Sequence, residues 1–349
     1  MTSCAAFVTF VSRSDFDPMI RFGILGFGLH AVRRLMPGFA DAKHCTVTGL
    51  WRRDAHKAQE SIRQYPKFPL KSYETPEALC ASPEVDAIFV ASPDALHAEH
   101  VLTAICHCKP VLCEKPMAMN AREAEQMVEA AEKSGVLLGI AQNFRFGPSV
   151  NRIRESISTG TFGRPLLARS EFHYFMRQHP RKWLKDPSLA CGGPVGDVAV
   201  HCIDALRYIL RDEVSSVFGK ALYDQESGAV EAAATLLLEF KKGTVADVTV
   251  STRAEYRTPL WITCEGGMVG AEDALTVDNP VDVRTKTIGG DLKSERVLND
   301  RTYSDQVDTF ALAIEKDAPF PIPGREGLIN QRILDAAYES IRTGQRVQV

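Results

Sequence analysis

Ile20-Arg-Phe-Gly-Ile-Leu25, followed directly by Gly26-Phe-Gly28-Leu-His-Ala31, decides the fold. The first run reads as a short buried strand, and the second matches the pattern G-x-G-x-x-G/A. A helical stretch with Val32, Leu35 and Met36 then leads towards Phe39. Strand, glycine turn and helix in that order are the setting in which the pattern binds a dinucleotide. Gly26 suits the tight turn, Gly28 lets a pyrophosphate approach the backbone, and Ala31 keeps the helix close to the strand. Exposed N–H groups at the helix start supply the anion site. Gly26, Phe27 and Gly28 are therefore the expected cofactor loop.

The same rhythm continues outward. Residues 46–51 read as a second strand, and 86–91 as an apolar strand covered on both faces. A helix over 95–106, a strand over 110–113, a long amphipathic helix over 121–133 and a strand over 136–141 complete the series. Alternating strands and helices predict a doubly wound parallel sheet, an α/β Rossmann domain over residues 20–145. Its second strand ends in Trp51-Arg52-Arg53-Asp54, where the adenosine ribose is read. The arginines suit a 2′-phosphate and one of them can stack on adenine. Asp54 precedes a helical stretch and suits its N-cap better than a ribose contact. NADP is therefore favoured over NAD. Ser92 and Pro93 follow the third core strand, at the carboxyl edge where open α/β sheets bind ligands. His97 opens the next helix beside that groove. Asn143, just past the last strand, is assigned to the cofactor as well.

Two further stretches carry chemistry. Glu114-Lys115-Pro116 follows the apolar run Val111-Leu112-Cys113, so a lysine leaves the end of a buried strand with Glu114 beside it. Asp197-x-x-x-His201 places a carboxylate and an imidazole on one helix face, since residues four apart are helical neighbours. Lysine, histidine and aspartate joined to a nucleotide fold suit proton transfer coupled to hydride transfer. A nicotinamide-dependent oxidoreductase is implied.

Composition bounds the alternatives. A chain of 349 residues exceeds what one hydrophobic core usually fills, so two domains are expected. A net charge of −3 gives no reason to expect nucleic acid or an anionic membrane as partner. No run approaches a membrane span, so no membrane partner is expected either. Residues 1–19 lack the basic start and small-residue cleavage pattern of a signal peptide. They are expected to be a disordered leader or an over-extended start, and the compartment is expected to be cytoplasmic. Nine cysteines, an odd number, fit reduced thiols better than a disulfide framework. Cys106-His107-Cys108 with Cys113 matches no usual ligand spacing, so no metal is expected.

Beyond Phe146-Gly-Pro148 the pattern changes. A helix over 150–158 precedes strand-like runs at 166–175, 217–222, 233–240, 244–253, 260–265 and 281–286. Lys242-Gly243 is a short turn, which predicts an antiparallel pair. Residues 146–349 are thus expected to form an α+β substrate domain with a large, mainly antiparallel open sheet. Helices over 304–315 and 326–343 are expected to be packing elements, able to fold back on the first domain. The segment 173–193 holds His173, Arg177, His179, Arg181, Lys182 and Trp183. Trp183 can stack on the C–H face of a sugar and Arg177 can bind its oxygens; an ordinary solvated loop fits equally well.

Taken together, these residues resemble the glucose–fructose oxidoreductase / inositol dehydrogenase (Gfo/Idh/MocA) family, nearly throughout 20–349. The resemblance rests on Gly26-Phe-Gly28, Ala91-Ser-Pro-Asp-Ala-Leu-His97, Cys113-Glu-Lys-Pro116 and Gly192-Gly-Pro-Val-Gly-Asp197-Val-Ala-Val-His201-Cys-Ile-Asp204. Gln306-Val-Asp-Thr-Phe310 and Ala336-Ala-Tyr-Glu-Ser-Ile341 extend it. It implies that Lys115 lies beside the nicotinamide, with Asp197 and His201 facing it from the second domain. It also implies a homodimer or homotetramer built through the C-terminal sheet. Two departures stand out: Ala199 where the family often has glycine, and Cys108 at a helix-ending glycine position.

The leading reading is an NADP- or NAD-dependent oxidoreductase acting on a secondary alcohol or carbonyl of a sugar, cyclitol or related polyol. The competing readings are a catalytically silent NAD(P)-binding regulator and an NAD-dependent glycoside-cleaving enzyme. Retention of Lys115, Asp197 and His201 argues against the first, and the Arg52-Arg53 pair against the second.

Overall fold

A computed structural model describes residues 19–176 and 181–349. The chain divides into two compact units. One runs to Ala141 and takes in Tyr303–Leu328; the other is Gln142–Thr302 with Ile329–Val349.

The first unit is built on six strands: β1 Ile20–Leu25, β2 Cys45–Trp51, β3 Lys71–Ser72, β4 Ala87–Val90, β5 Val111–Glu114 and β6 Leu138–Ala141. They pair in parallel in the order β3-β2-β1-β4-β5-β6, the doubly wound arrangement expected. Every residue of β4, β5 and β6 is buried, which is why these strands read as apolar runs without alternation. Phe22, Ile24, Phe89 and Leu112 are fully buried in it, each such side chain contributing about 1.5–3 kcal/mol. Tyr303–Leu328 joins this core: Phe310 meets Phe22 and Phe320 ring to ring, and Asp308 accepts hydrogen bonds from the Lys43 and His44 N–H groups.

The helix after the glycine turn is not uniformly α. Its first part, Ala31–Leu35, is π-helical and leads into an α-helical turn, Met36–Ala40. Short elements that the sequence pattern does not display, β3 and the helix Pro76–Ala81, complete the connection from β2 to β4. Thr75 caps that helix by accepting from the Ala78 N–H.

The second unit holds ten strands: β7 Pro165–Phe175, β8 Val214–Leu222, β9 Ala233–Phe240, β10 Val245–Ser251, β11 Arg253–Arg257, β12 Leu260–Cys264, β13 Gly267–Ala271, β14 Pro280–Thr287, β15 Lys293–Leu298 and β16 Val347–Gln348. Their order is β15-β14-β13-β12-β7-β10-β9-β8-β16, with β11 alongside β7. The turn at Lys242-Gly243 joins β9 and β10 as an antiparallel pair, whereas β7 and β10 pair in parallel. The run expected over 244–253 is two strands, β10 and β11, separated at Thr252. Alternate residues of β7, Ala168, Ser170 and Phe172, are buried towards a core that includes Ile203 and Leu206 of the helix Val200–Leu210. The opposite face exposes Leu167, Phe218, Leu222 and Leu237.

Cys108 adopts φ 53°, left-handed, in the position a glycine would take without strain. Cys45, Cys80, Cys106, Cys113, Cys191, Cys202 and Cys264 are free thiols, and Cys108 is disulfide-bonded. Among the described residues no helix is long and apolar enough to cross a membrane, and no group of His, Cys, Asp or Glu is placed to hold a metal ion.

Candidate active site

The nucleotide unit contributes three loops at the carboxyl ends of its strands. After β1, Gly26 turns with φ 86°, and a side chain there would overlap the Ser92 backbone. The N–H groups of Gly26 and Phe27 donate to the Trp51 carbonyl at 3.2 and 3.1 Å, and Gly28 N–H donates back to Gly26 at 2.7 Å. The first bond of the following helix runs from Val32 N–H to the Gly28 carbonyl. The N–H groups of Leu29, His30 and Ala31 therefore point out of the helix start, the geometry that receives a diphosphate. Phe27 serves through its backbone, since its ring is fully buried edge-on to Tyr65.

At the end of β2 the Trp51 indole donates to the Glu74 carbonyl and meets His100 edge-on at 5.3 Å. Arg52 reaches Ser61 at 3.4 Å, and Arg53 is exposed. Asp54 caps the helix Ala55–Gln64, accepting from the Lys57 N–H at 3.1 Å. That bond, aided by the Lys57 ammonium, holds its carboxyl below the usual range. The Asp54 carboxylate is thus committed to a helix end.

Ser92 is clamped after β4. Its carbonyl lies 2.9 Å from His97 Nε2 and its hydroxyl 2.9 Å from His100 Nδ1. Burial pushes His100 down to about 4, so it is neutral at ordinary pH. The other nitrogen of His97 lies 2.9 Å from the Pro116 carbonyl. His97 thus braces the turns after β4 and β5, and what it gives the groove is their shape; Pro93 lies in the first of those turns.

The third loop follows β5. Glu114 is buried, with Oε1 2.8 Å from His30 Nε2 and Oε2 accepting from the Lys115 N–H at 3.2 Å. Burial pushes this carboxyl up, but His30, then Lys115 and His97, outweigh it and hold it below its ordinary value. His30 meets Tyr303 edge-on at 6.0 Å. Lys115 is half-buried and precedes a cis peptide to Pro116.

The second unit contributes a separate constellation. Asn143 opens the turn Asn143–Phe146, buried, with its Nδ2 unmatched by any protein acceptor. A buried amide donor of this kind fits an acceptor on a ligand. Asp197 lies in the π-helical turn Val195–Ala199, and His201 in the α-helix Val200–Leu210 that continues it; both are 8% exposed. Tyr174 donates to Asp197 Oδ2 at 2.6 Å. Burial, then the neighbouring carboxylate, pushes the Tyr174 hydroxyl well up, so it remains a donor. The His201 ring stacks on Phe172 at 6.0 Å and meets the edge of Phe144 at 4.8 Å.

The start of the π turn is pinned from two sides. Glu231 Oε1 accepts from the Val195 N–H at 2.9 Å and from the Tyr338 hydroxyl at 3.0 Å, and that hydroxyl accepts from the Gly196 N–H. A side chain at Gly193 would overlap the Glu231 carbonyl. One turn beyond His201, Asp204 receives a two-pronged bond from Arg145, at 2.9 and 2.7 Å, and a third from Asn330. Asn330 accepts from Arg207, itself paired with Glu213. Trp183 is half-buried in the turn Lys182–Lys185; Arg177 and His179 lie outside the described residues. His30, Tyr174, Glu231 and Tyr338 have no counterpart among the residues singled out from the sequence.

Within each unit, then, the donor set fits a distinct role, a glycine cradle and helix start for a dinucleotide in one and a held acid–imidazole pair in the other. Comparison with known proteins shows the family of both halves. The family described as "Oxidoreductase family, NAD-binding Rossmann fold" matches residues 20–142, and the "GFO/IDH/MocA C-terminal domain" matches 150–270. The chain is 29% identical to 1,5-anhydro-D-fructose reductase of Ensifer adhaerens, over 80% of this chain and 84% of that protein. It is 28% identical to a D-xylose 1-dehydrogenase (NADP(+)) of Haloferax volcanii, over 94% and 99%. Among solved structures, aldose-aldose oxidoreductase of Caulobacter crescentus, complexed with glycerol, superposes with a TM-score of 0.88 at 25% identity, covering 95% of this chain and all of that one.

Proposed function

The chain belongs to the Gfo/Idh/MocA family of NAD-binding oxidoreductases, and we propose that it is an NADP-preferring dehydrogenase or reductase. Its substrate is a secondary alcohol or carbonyl of a sugar, cyclitol or related polyol. The observation that carries this reading is the Asp197–His201 pair, with each side chain held by its own partner on β7. An imidazole stacked in a slot beside an oriented carboxylate is equipped to take a hydroxyl proton.

The nicotinamide, when bound, supplies the hydride acceptor or donor. The protein's residues do the rest. His201 accepts the proton of the substrate hydroxyl during oxidation. Lys115 stabilises the developing alkoxide with its ammonium, and Asp197 orients the substrate hydroxyl or the imidazole. The preference for NADP rests on Arg52 and Arg53, since Asp54 is spent on the helix Ala55–Gln64. Asn143, with its unmatched buried donor, belongs to the cofactor contacts, as do the clamped Ser92 and the turn at Pro93. Trp183 and Arg177 are the proposed sugar contacts.

The open face of the second sheet supports self-association into a homodimer or homotetramer. Phe218 and Leu237 stand opposite each other on it, next to the Asp247–Arg169 ion pair of 3.0 Å. Exposed apolar side chains on a broad sheet are what a matching copy would cover.

The test is a fluorescence titration of the purified protein with NADPH and NADH, each repeated with a panel of sugars and polyols. Tighter NADPH binding, shifted by one sugar class, is the expected result. Cofactor binding with no ligand response and no turnover would instead favour a silent regulator.

A further inference from the structure

Strand β7 reads the acid–imidazole pair in register. Its inward side chains recur every second residue, so Phe172 and Tyr174 face the same side, roughly 6–7 Å apart along the strand. Asp197 and His201, four residues apart on a helix, are separated by about 6 Å along its axis. The two spacings match. Phe172 therefore stacks on His201 while Tyr174 donates to Asp197, the strand and helix running in opposite senses.

From this register we propose that Tyr174 is a positioning residue of the reaction: its hydroxyl fixes the rotation of the Asp197 carboxylate. The inference rests on the function proposed above. A carboxylate turns about its last bond with little resistance, because that torsion is broad. A buried donor 2.6 Å from one oxygen removes the freedom. The neighbours of Tyr174 suit it to this role, since burial and Asp197 keep its proton on, while Arg181 and Arg253 act in the opposite sense. Arg253 is itself held by Asp224 through a two-pronged bond of 2.7 and 2.9 Å. Glu231 and Tyr338 fix the backbone of the same turn, and Tyr174 holds an oxygen of the carboxylate that the turn carries.

The experiment is a double-mutant cycle on steady-state polyol oxidation, using Tyr174→Phe, Asp197→Asn and both together. Tyr174→Phe should lower kcat/KM by about tenfold to a hundredfold, the scale of a hydrogen bond to a charged group. Binding of NADPH should stay within about twofold. In the Asp197→Asn protein the same change should cost less than about twofold, because its effect passes through the carboxylate. A merely structural tyrosine would give losses that multiply, which would overturn the proposal. So would a Tyr174→Phe protein as active as its parent. If Tyr174→Phe does not fold, Tyr174→His, which restores a ring donor, is read in the same cycle. A parent protein that binds NADPH but turns over no polyol would overturn the functional reading itself, a different outcome from either.

Discussion

Each unit has a helix that bears candidate residues and holds a π-helical turn near its start: Ala31–Leu35 after the glycine loop, and Val195–Ala199 around Asp197. Such turns recur at functional positions because they re-aim the residues they contain. The forces that hold the two are different. The first follows a loop set by the backbone alone, where Gly26 comes so close to Ser92 that only hydrogen fits, and two N–H groups lock onto the Trp51 carbonyl. The second is held mainly by side chains: Glu231 and Tyr338 at its start, Tyr174 on its acid, and Arg145 on Asp204 one turn past His201. A cofactor common to many enzymes can be met by invariant backbone geometry. A substrate must be met by side chains, and those need other side chains to hold them.

This contrast can be broken at several points. The largest effect is expected at Lys115, at the start of the nucleotide unit's third loop. Lys115→Met should lower turnover about a thousandfold, the range of a lost acid–base or electrostatic group. Cofactor affinity, measured by fluorescence, should stay within a few-fold, because the glycine loop is untouched. Equal loss of both would mean that the lysine holds the cofactor rather than serving the reaction.

Next comes the side-chain scaffold of the second unit. Arg145 and Asp204 are 9% and 3% exposed, so Arg145→Met would strand a buried carboxylate with Asn330 as its partner. Breaking such a pair costs about 3–5 kcal/mol, which urea unfolding would register as a lower midpoint at unchanged slope. An unchanged midpoint would show that the network contributes no rigidity to the helix bearing His201.

The smallest effects separate the residues at the end of β2. Arg52→Asp should weaken NADPH by about tenfold or more while leaving NADH nearly unchanged, consistent with a lost phosphate contact. Asp54→Ala should cost only a slight drop in melting temperature, as for a lost helix cap, and leave the cofactor preference intact. A reversal of preference in the Asp54 variant would make that residue the ribose acid.

Much of this was legible in the sequence for identifiable reasons. The parallel strands are buried on both faces, so they appear as apolar runs such as Ala87–Val90. Gly26, Gly28 and Lys115 follow strand ends, and the spacing of Asp197 and His201 is local, so position along the chain reveals them. The strands Gly267–Ala271 and Lys293–Leu298 were not visible: the first holds two glycines in five residues, the second is an exposed, charged edge. The supports of the site were hidden for another reason. Tyr174 meets Asp197 across 23 residues, and His30 meets Glu114 across 84. Contacts of that range are set by the register of β7 and by the order of strands in the first sheet, which no local pattern encodes.

In the proposed reaction hydride passes between a carbinol carbon and the nicotinamide. The most direct test supplies the protein with NADP and a polyol deuterated at its secondary carbinol positions, then examines the reduced cofactor by mass spectrometry and NMR. Deuterium at the nicotinamide ring and a slowed rate with the labelled polyol are the expected result. Product formation with no label accumulating in the cofactor would contradict it.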